Sequence, residues 1–201
     1  VRRAGPRRHD ERVEHEFEVR SFATADEAHA WFDAHGADTP GLSVLLAKKK
    51  AFPSLTWAQL VEVLLCHGWI DGRANTVDET SWTIRTTPRR PRSIWSAKNV
   101  ATVAELVAAG RMRPAGRAQV EAAQADGRWA RAYAGPATIT VPDDLAAALD
   151  AVPAARTAFD ALDGTNRYAV LHRVHTAANP RTRAAQIAKL VGMLADGKTL
   201  H

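Results

Sequence analysis

The chain has 201 residues, 46% apolar and 24% charged, enough to bury a full core and outside the composition of disordered proteins. Its single cysteine, Cys66, excludes an internal disulfide, and its longest apolar run, residues 60–65, is broken by Glu62 and falls far short of a membrane span of about 20 residues. The net charge of +5 is unevenly held, because between Arg85 and Arg117 eight basic residues face Glu105 alone, a local field that attracts carboxylates, phosphates or nucleic-acid backbones or, more plainly, a solubilising surface.

The N-terminus, Val1-Arg2-Arg3, carries no secretory pattern, so the expected location is cytoplasmic, in a bacterial type of protein. Residues 1–15 are mixed in charge with few apolar anchors and read as a flexible arm. Glu16 to Arg20 alternates with period two and predicts a short strand. A helix follows, with Thr24 and Glu27 as a capping box, Trp31 and Phe32 as its apolar face and Gly36 at its end. Past the turn at Pro40-Gly41, residues 42–47 read as a buried strand, ended by Lys48-Lys49-Lys50.

Thr56 and Gln59 open a second helix that runs to Gly68 and delivers Trp69-Ile70-Asp71-Gly72 as a turn. Residues 77–87 have the β-branched and aromatic content of a strand, with Trp82 and Ile84 opposite Arg85. From Ser96 onward the period becomes helical. Helices are predicted over 99–109, from Pro114 to Asp126-Gly127, and over 143–151, 154–162, 167–177 and 181–195. The expected architecture is α+β: a small antiparallel sheet with two helices over residues 16–95, packed on an all-helical 96–201 in one compact unit.

One segment is too polar to be core alone. Trp69-Ile70-Asp71-Gly72, Thr87-Pro88-Arg89-Arg90-Pro91-Arg92-Ser93-Ile94-Trp95-Ser96, Asn99, Gly110-Arg111-Met112, Pro114-Ala115-Gly116 and Asp126-Gly127-Arg128-Trp129 with Tyr133 occur in order. With Val141-Pro142-Asp143-Asp144-Leu145, Asn166-Arg167-Tyr168 and Thr182-Arg183, this series resembles the YdeI/OmpD-associated family, also labelled bacteriocin-protection proteins, over about residues 22–194. The resemblance implies protection against bacteriocins or other antimicrobial agents and no particular reaction. The family's lysine near the start of the final segment, in an Ala-Lys-like position, is missing here, where the chain reads Ala177-Ala178-Asn179-Pro180.

Asp71 is the candidate general acid or base, flanked by bulky apolar residues that would desolvate it; the alternative is a turn aspartate bonded to nearby amides or paired with Arg73 or Arg85. Pro88 and Pro91 stiffen the run that carries Arg89, Arg92 and Ser93, so its guanidinium forks are held ready for a carboxylate or phosphate. Trp95 would stack on a flat ligand, on an arginine or in the core, and Ser96 would cap the helix that carries Asn99. A strand pair over 74–87 would return this run beside Asp71, with Trp69, Arg85 and Trp95 around the carboxylate and Arg111 and Trp129 completing the ligand set.

Cys66-His67 with Asp71, and His172 with His175, lack a third metal ligand at motif spacing, and no phosphate loop, dinucleotide fingerprint or nucleophile elbow occurs. No metal or cofactor is therefore expected. Three classes stand in order: a protective protein that binds a small anionic or aromatic molecule, a small-molecule enzyme of biosynthesis or detoxification using Asp71 with arginine stabilisers, and a nucleic-acid binder using residues 85–117.

Overall fold

In the computed structural model, described over residues 17–201, the chain forms two compact units, one of residues 17–64 with 69–88 and one of residues 65–68 with 89–201. The expected arm over 1–15, and Glu16, lie outside the described residues.

The first unit contains β1 (Val19–Arg20), α1 (Ala25–His35), β2 (Leu42–Ala47), most of α2 (Trp57–Cys66), β3 (Trp69–Thr76) and β4 (Ser81–Pro88), and its sheet has the order β1-β2-β4-β3. The sheet is mixed, not antiparallel as expected. β1 and β2 run parallel because α1 intervenes as a crossover, whereas β2–β4 and β3–β4 are antiparallel. Thr24 caps α1 by accepting from the Glu27 amide at 3.2 Å, and the Glu27 carboxylate reaches back to the Ala23 amide at 2.9 Å. In β2, Leu42, Val44 and Leu46 are fully buried and alternate with half-buried neighbours. They pack with Phe32 of α1, Leu60 and Leu64 of α2, Trp69 and Ile84 into one core.

Two readings shift in register. The turn expected at Asp71 is part of β3, paired with Thr86 of β4, and the ladder slips between Asp71 and Ala74 around Gly72. The strand expected from Val77 starts at Ser81, because the Asp78 carboxylate accepts from the Thr80 amide, the Thr80 hydroxyl and the Ser81 hydroxyl at 2.7, 2.8 and 2.9 Å, closing a hairpin turn. Those bonds hold the Asp78 carboxyl below the usual carboxylate range.

The second unit is helical: α3 (Ala97–Ala108), α4 (Pro114–Ala125), α5 (Asp143–Asp150), α6 (Pro153–Asp160), α7 (Gly164–His175) and α8 (Pro180–Ala195). Pro114, Pro153 and Pro180 each open a helix, and Ser96, Asp163 and Asn179 cap α3, α7 and α8 through their side-chain oxygens. Leu145, Leu149, Phe159, Val170, Leu171, Leu190 and Leu194 form its core. Among the described residues no helix is long and apolar enough to cross a membrane.

Arg183 of α8 ties three helices together. Its fork donates to Asp144 of α5 at 2.6 and 2.8 Å, and its third nitrogen donates to the Val174 carbonyl of α7 at 2.8 Å. The hydrogen bonds from Arg183 hold the Asp144 carboxyl below its ordinary value, so the pair contributes stability above the unfolded carboxylate range and loses it as pH falls through the depressed folded value. Because Asp144 is 48% exposed, Asp144→Asn costs no more than about 1 kcal/mol at pH 7. Acid denaturation checks this: the gap in stability between the parent and Asp144→Asn closes as pH drops below the carboxylate range.

Candidate functional site

The Pro-rich run enters the second unit as a tight turn. The Ser93 amide donates to the Arg90 carbonyl at 2.9 Å and the Ser93 hydroxyl accepts from the Arg90 amide at 3.0 Å. Beyond it the backbone bridges to a distant segment: the Tyr133 amide donates to the Trp95 carbonyl at 3.0 Å and the Ala97 amide donates to the Tyr133 carbonyl at 2.8 Å. Ser96 then caps α3 through the Asn99 amide at 3.1 Å, so Ser96 and the Asn99 backbone serve the helix start.

Arg89 and Trp95, both expected to face a ligand, are buried. The Arg89 guanidinium lies 3.7 Å from the centre of the Trp95 ring and donates to the Ile94 carbonyl at 3.2 Å, and Arg89 is only 6% exposed. Trp129 meets the same indole edge to face at 5.0 Å. This Arg-Trp-Trp stack is an internal strut.

Arg128 fastens the turn from outside. It donates to the Ser93 carbonyl at 2.8 Å and to the Asp126 carboxylate at 2.7 Å, and that second bond holds the Asp126 carboxyl below the usual range. The turn, the Asp126–Tyr133 segment and the end of α7 together enclose a cleft of about 430 Å³. Pro91, Arg92 and Ile94 line one side, Asp126, Arg128, Arg131 and Tyr133 another, and His175, Thr176, Ala177 and Ala178 the rest. Arg92 is exposed and makes no hydrogen bond or ion pair among the described residues, and the Arg131 guanidinium makes a long contact, 3.4 Å, to the Asp126 carbonyl. His175 Nε2 lies 2.9 Å from the Thr140 carbonyl, which requires that nitrogen to carry the proton. Behind Tyr133, His172 stands edge-on at 4.6 Å, and burial followed by the neighbouring His175 holds its pKa below the ordinary histidine value. The cleft thus offers guanidinium donors, one carboxylate already bonded to Arg128, a phenol ring and a small apolar floor.

The other expected site residues are distributed as follows. Trp69 is core, 5.0 Å from Phe32 ring to ring and 2% exposed. Asp71 is half-buried and accepts from Trp57 Nε1 at 3.2 Å, in place of an Arg73 or Arg85 pair. Arg85 is exposed, its guanidinium 4.5 Å over the Phe17 ring. These three belong to the first unit, whereas Arg89, Arg92, Ser93, Trp95, Ser96, Asn99, Arg111 and Trp129 belong to the second. Arg111 is exposed and does not line the cleft. Arg128, Arg131, Tyr133 and His175 are the cleft residues that the sequence reading passed over. Arg128 and Tyr133 belong to the Asp126-Gly127-Arg128-Trp129 and Tyr133 motifs, and the one local signal at His175 is its i, i+3 spacing from His172. No group of three or more His, Cys, Asp or Glu side chains able to hold a metal occurs among the described residues.

Residues 138–197 match the family described as bacteriocin-protection, YdeI or OmpD-associated, and residues 20–119 match a domain of unknown function, DUF8412. The motif-rich stretch that carries most of the resemblance therefore lies largely in the second match, and the family match covers the helices from α5 to α8. No curated protein and no solved structure matches the chain.

Proposed function

We propose that this chain, whose residues 138–197 match the bacteriocin-protection, YdeI or OmpD-associated family, is a protection-type protein that acts by binding a small anionic, aromatic molecule in the cleft of its second unit. The observation that carries this reading is the joint lining: His175, Thr176, Ala177 and Ala178 come from the family-matched segment, and Arg92, unengaged among the described residues, comes from the Pro-stiffened turn. A volume of about 430 Å³ falls in the usual range of small-molecule sites, roughly 300–1,000 Å³. Arg92 and Arg131 supply donors for a carboxylate or phosphate, while Tyr133, Pro91 and Ile94 supply a face for an apolar ring. Ala177 and Ala178, where the family's lysine is missing, leave the floor small and uncharged.

Titration of tryptophan fluorescence with a panel of aromatic carboxylates and phosphates tests the reading, since Trp129 abuts the Trp95 stack next to the turn. We expect saturable quenching that Arg92→Ala weakens about tenfold or more, the loss of a charged hydrogen bond worth roughly 1.5–3 kcal/mol. Because Arg92 is solvent-exposed, its melting temperature stays unchanged. Bacteria that express the chain should survive a bacteriocin or antibiotic challenge better than those that express Arg92→Ala. Absence of saturable binding across the panel, or equal binding by Arg92→Ala, removes the reading.

A further inference from the structure

Among the described residues every left-handed backbone position is a glycine except two, and these are consecutive: Lys49 at φ 50° and Lys50 at φ 58°. A non-glycine residue is strained there, and glycine or asparagine would relieve most of that strain. The turn is nonetheless held firmly. The Ala51 amide donates to the Lys48 carbonyl at 3.0 Å, the Lys48 amide donates to the Thr80 carbonyl at 2.7 Å, and Lys48 Nζ donates to the Asp78 carbonyl at 2.6 Å. At the far end of the loop the Ala47 amide donates to Ser54 Oγ at 2.9 Å.

This loop rims a cleft of about 500 Å³ in the first unit, lined by Lys50, Phe52, Pro53, Leu55 and Thr56 among others. Among the described residues no carboxylate lines it, α2 starts at its wall without an acidic residue in the first turn, and the Asp78 carboxylate is engaged by Thr80 and Ser81. Lys49 and Lys50 make no hydrogen bond or ion pair among the described residues. Two exposed lysines therefore stand on a strained but braced turn, Lys50 lining the largely apolar cleft and Lys49 next to it in sequence, with no ion-pair partner for either among the described residues. Strain that the surroundings impose on residues able to bind is a mark of a functional segment.

We propose that the Lys48–Ala51 turn and its cleft form a second binding site, separate from the arginine cleft, for a small aromatic phosphomonoester. The phosphate sits on Lys49 and Lys50 and the ring lies against Phe52 and Pro53. A phosphate is favoured over a carboxylate because ammonium groups act as point charges without the planar fork that matches a carboxylate, and a phosphomonoester is close to a dianion at pH 7.

Titration of the ¹⁵N-labelled chain with phenyl phosphate tests the proposal. Saturable shifts are expected at the amides of residues 49–52, with benzoate and inorganic phosphate each at least fivefold weaker. The double variant Lys49→Asn/Lys50→Asn, whose asparagines suit the left-handed turn, should bind at least tenfold more weakly with a melting temperature equal to or above the parent's. Arg92→Ala should leave the titration as it was. The proposal falls if residues 49–52 show no saturable shift, if the double variant binds as tightly as the parent, or if benzoate or inorganic phosphate matches phenyl phosphate. It also falls if Arg92→Ala abolishes the shifts, which would place the ligand in the arginine cleft.

Discussion

Replacing Gly116 by alanine lowers the melting temperature by roughly 6–12 °C, the shift that a loss of about 3 kcal/mol produces in a chain of this size. Helix propensity alone gives the opposite sign, since alanine is favoured over glycine by about 1 kcal/mol inside a helix. Packing decides the outcome. A Cβ on Gly116, in the first turn of α4, would stand 2.2 Å from the Cys66 carbonyl oxygen and 2.6 Å from that of Leu65, both backbone atoms at the end of α2 that no rotamer change can move. The approach is fixed by the Arg113 amide, which donates to the same Cys66 carbonyl at 3.1 Å. Gly192 in α8 is the internal comparison, because a Cβ there meets nothing within 4 Å. Gly192→Ala should therefore raise stability by about 0.5–1 kcal/mol. Thermal melts of the two variants check both signs, and a stabilised Gly116→Ala would mean that α4 does not approach the end of α2 this closely.

Arg89→Ala destabilises by about 3 kcal/mol, whereas Arg90→Ala, one residue away and exposed, stays within about 0.5 kcal/mol of the parent. The difference follows from burial. Truncating Arg89 removes a desolvated cation–π contact at 3.7 Å and the donor to the Ile94 carbonyl, and it opens a gap against Trp95. Lysine should not rescue the loss, because its ammonium cannot lie flat on the indole and reach Ile94 together. Urea unfolding of the three variants measures this. If Arg89→Ala unfolds like the parent and instead loses ligand, the residue belongs to the binding set and the strut assignment is wrong.

These expectations divide the Pro88–Ser96 run by role. Arg89 and Trp95 hold it to the second unit, the Ser93 carbonyl receives Arg128, and Arg92, exposed like Arg90, lines the cleft. Proline at 88 and 91 announces a stiff segment of alternating arginines, but a stiff segment does not say which arginine points inward. That depends on the indole that happens to lie beneath.

Helix limits were legible because they are local. Thr24 with Glu27, Thr56 with Gln59, Ser96 and Asn179 each satisfy amides within three or four residues, and Pro114, Pro153 and Pro180 start helices by the geometry of their own rings, whereas α7, expected from 167, starts at Gly164 on the Asp163 cap. The α+β division was legible for the same reason, since the apolar period changes along the chain. The parallel pairing of β1 with β2 and the strand character of Asp71 were not. Trp69–Thr76 has little intrinsic strand preference and becomes β3 only because β4 supplies its ladder.

For function, the sequence by itself determined a family resemblance, an Arg-rich run and the presence of Arg92 within it. Only the tertiary structure decided that Arg92 shares a cleft with Arg128, Arg131, Tyr133 and His175, that Trp69 and Trp95 are core, and that Asp71 is bonded to Trp57. The physical reason is distance along the chain. A cap is made by neighbours, but the bond from Arg128 to Ser93 spans 35 residues, and such meetings follow from how buried faces pack, which no local pattern of charge or hydropathy encodes.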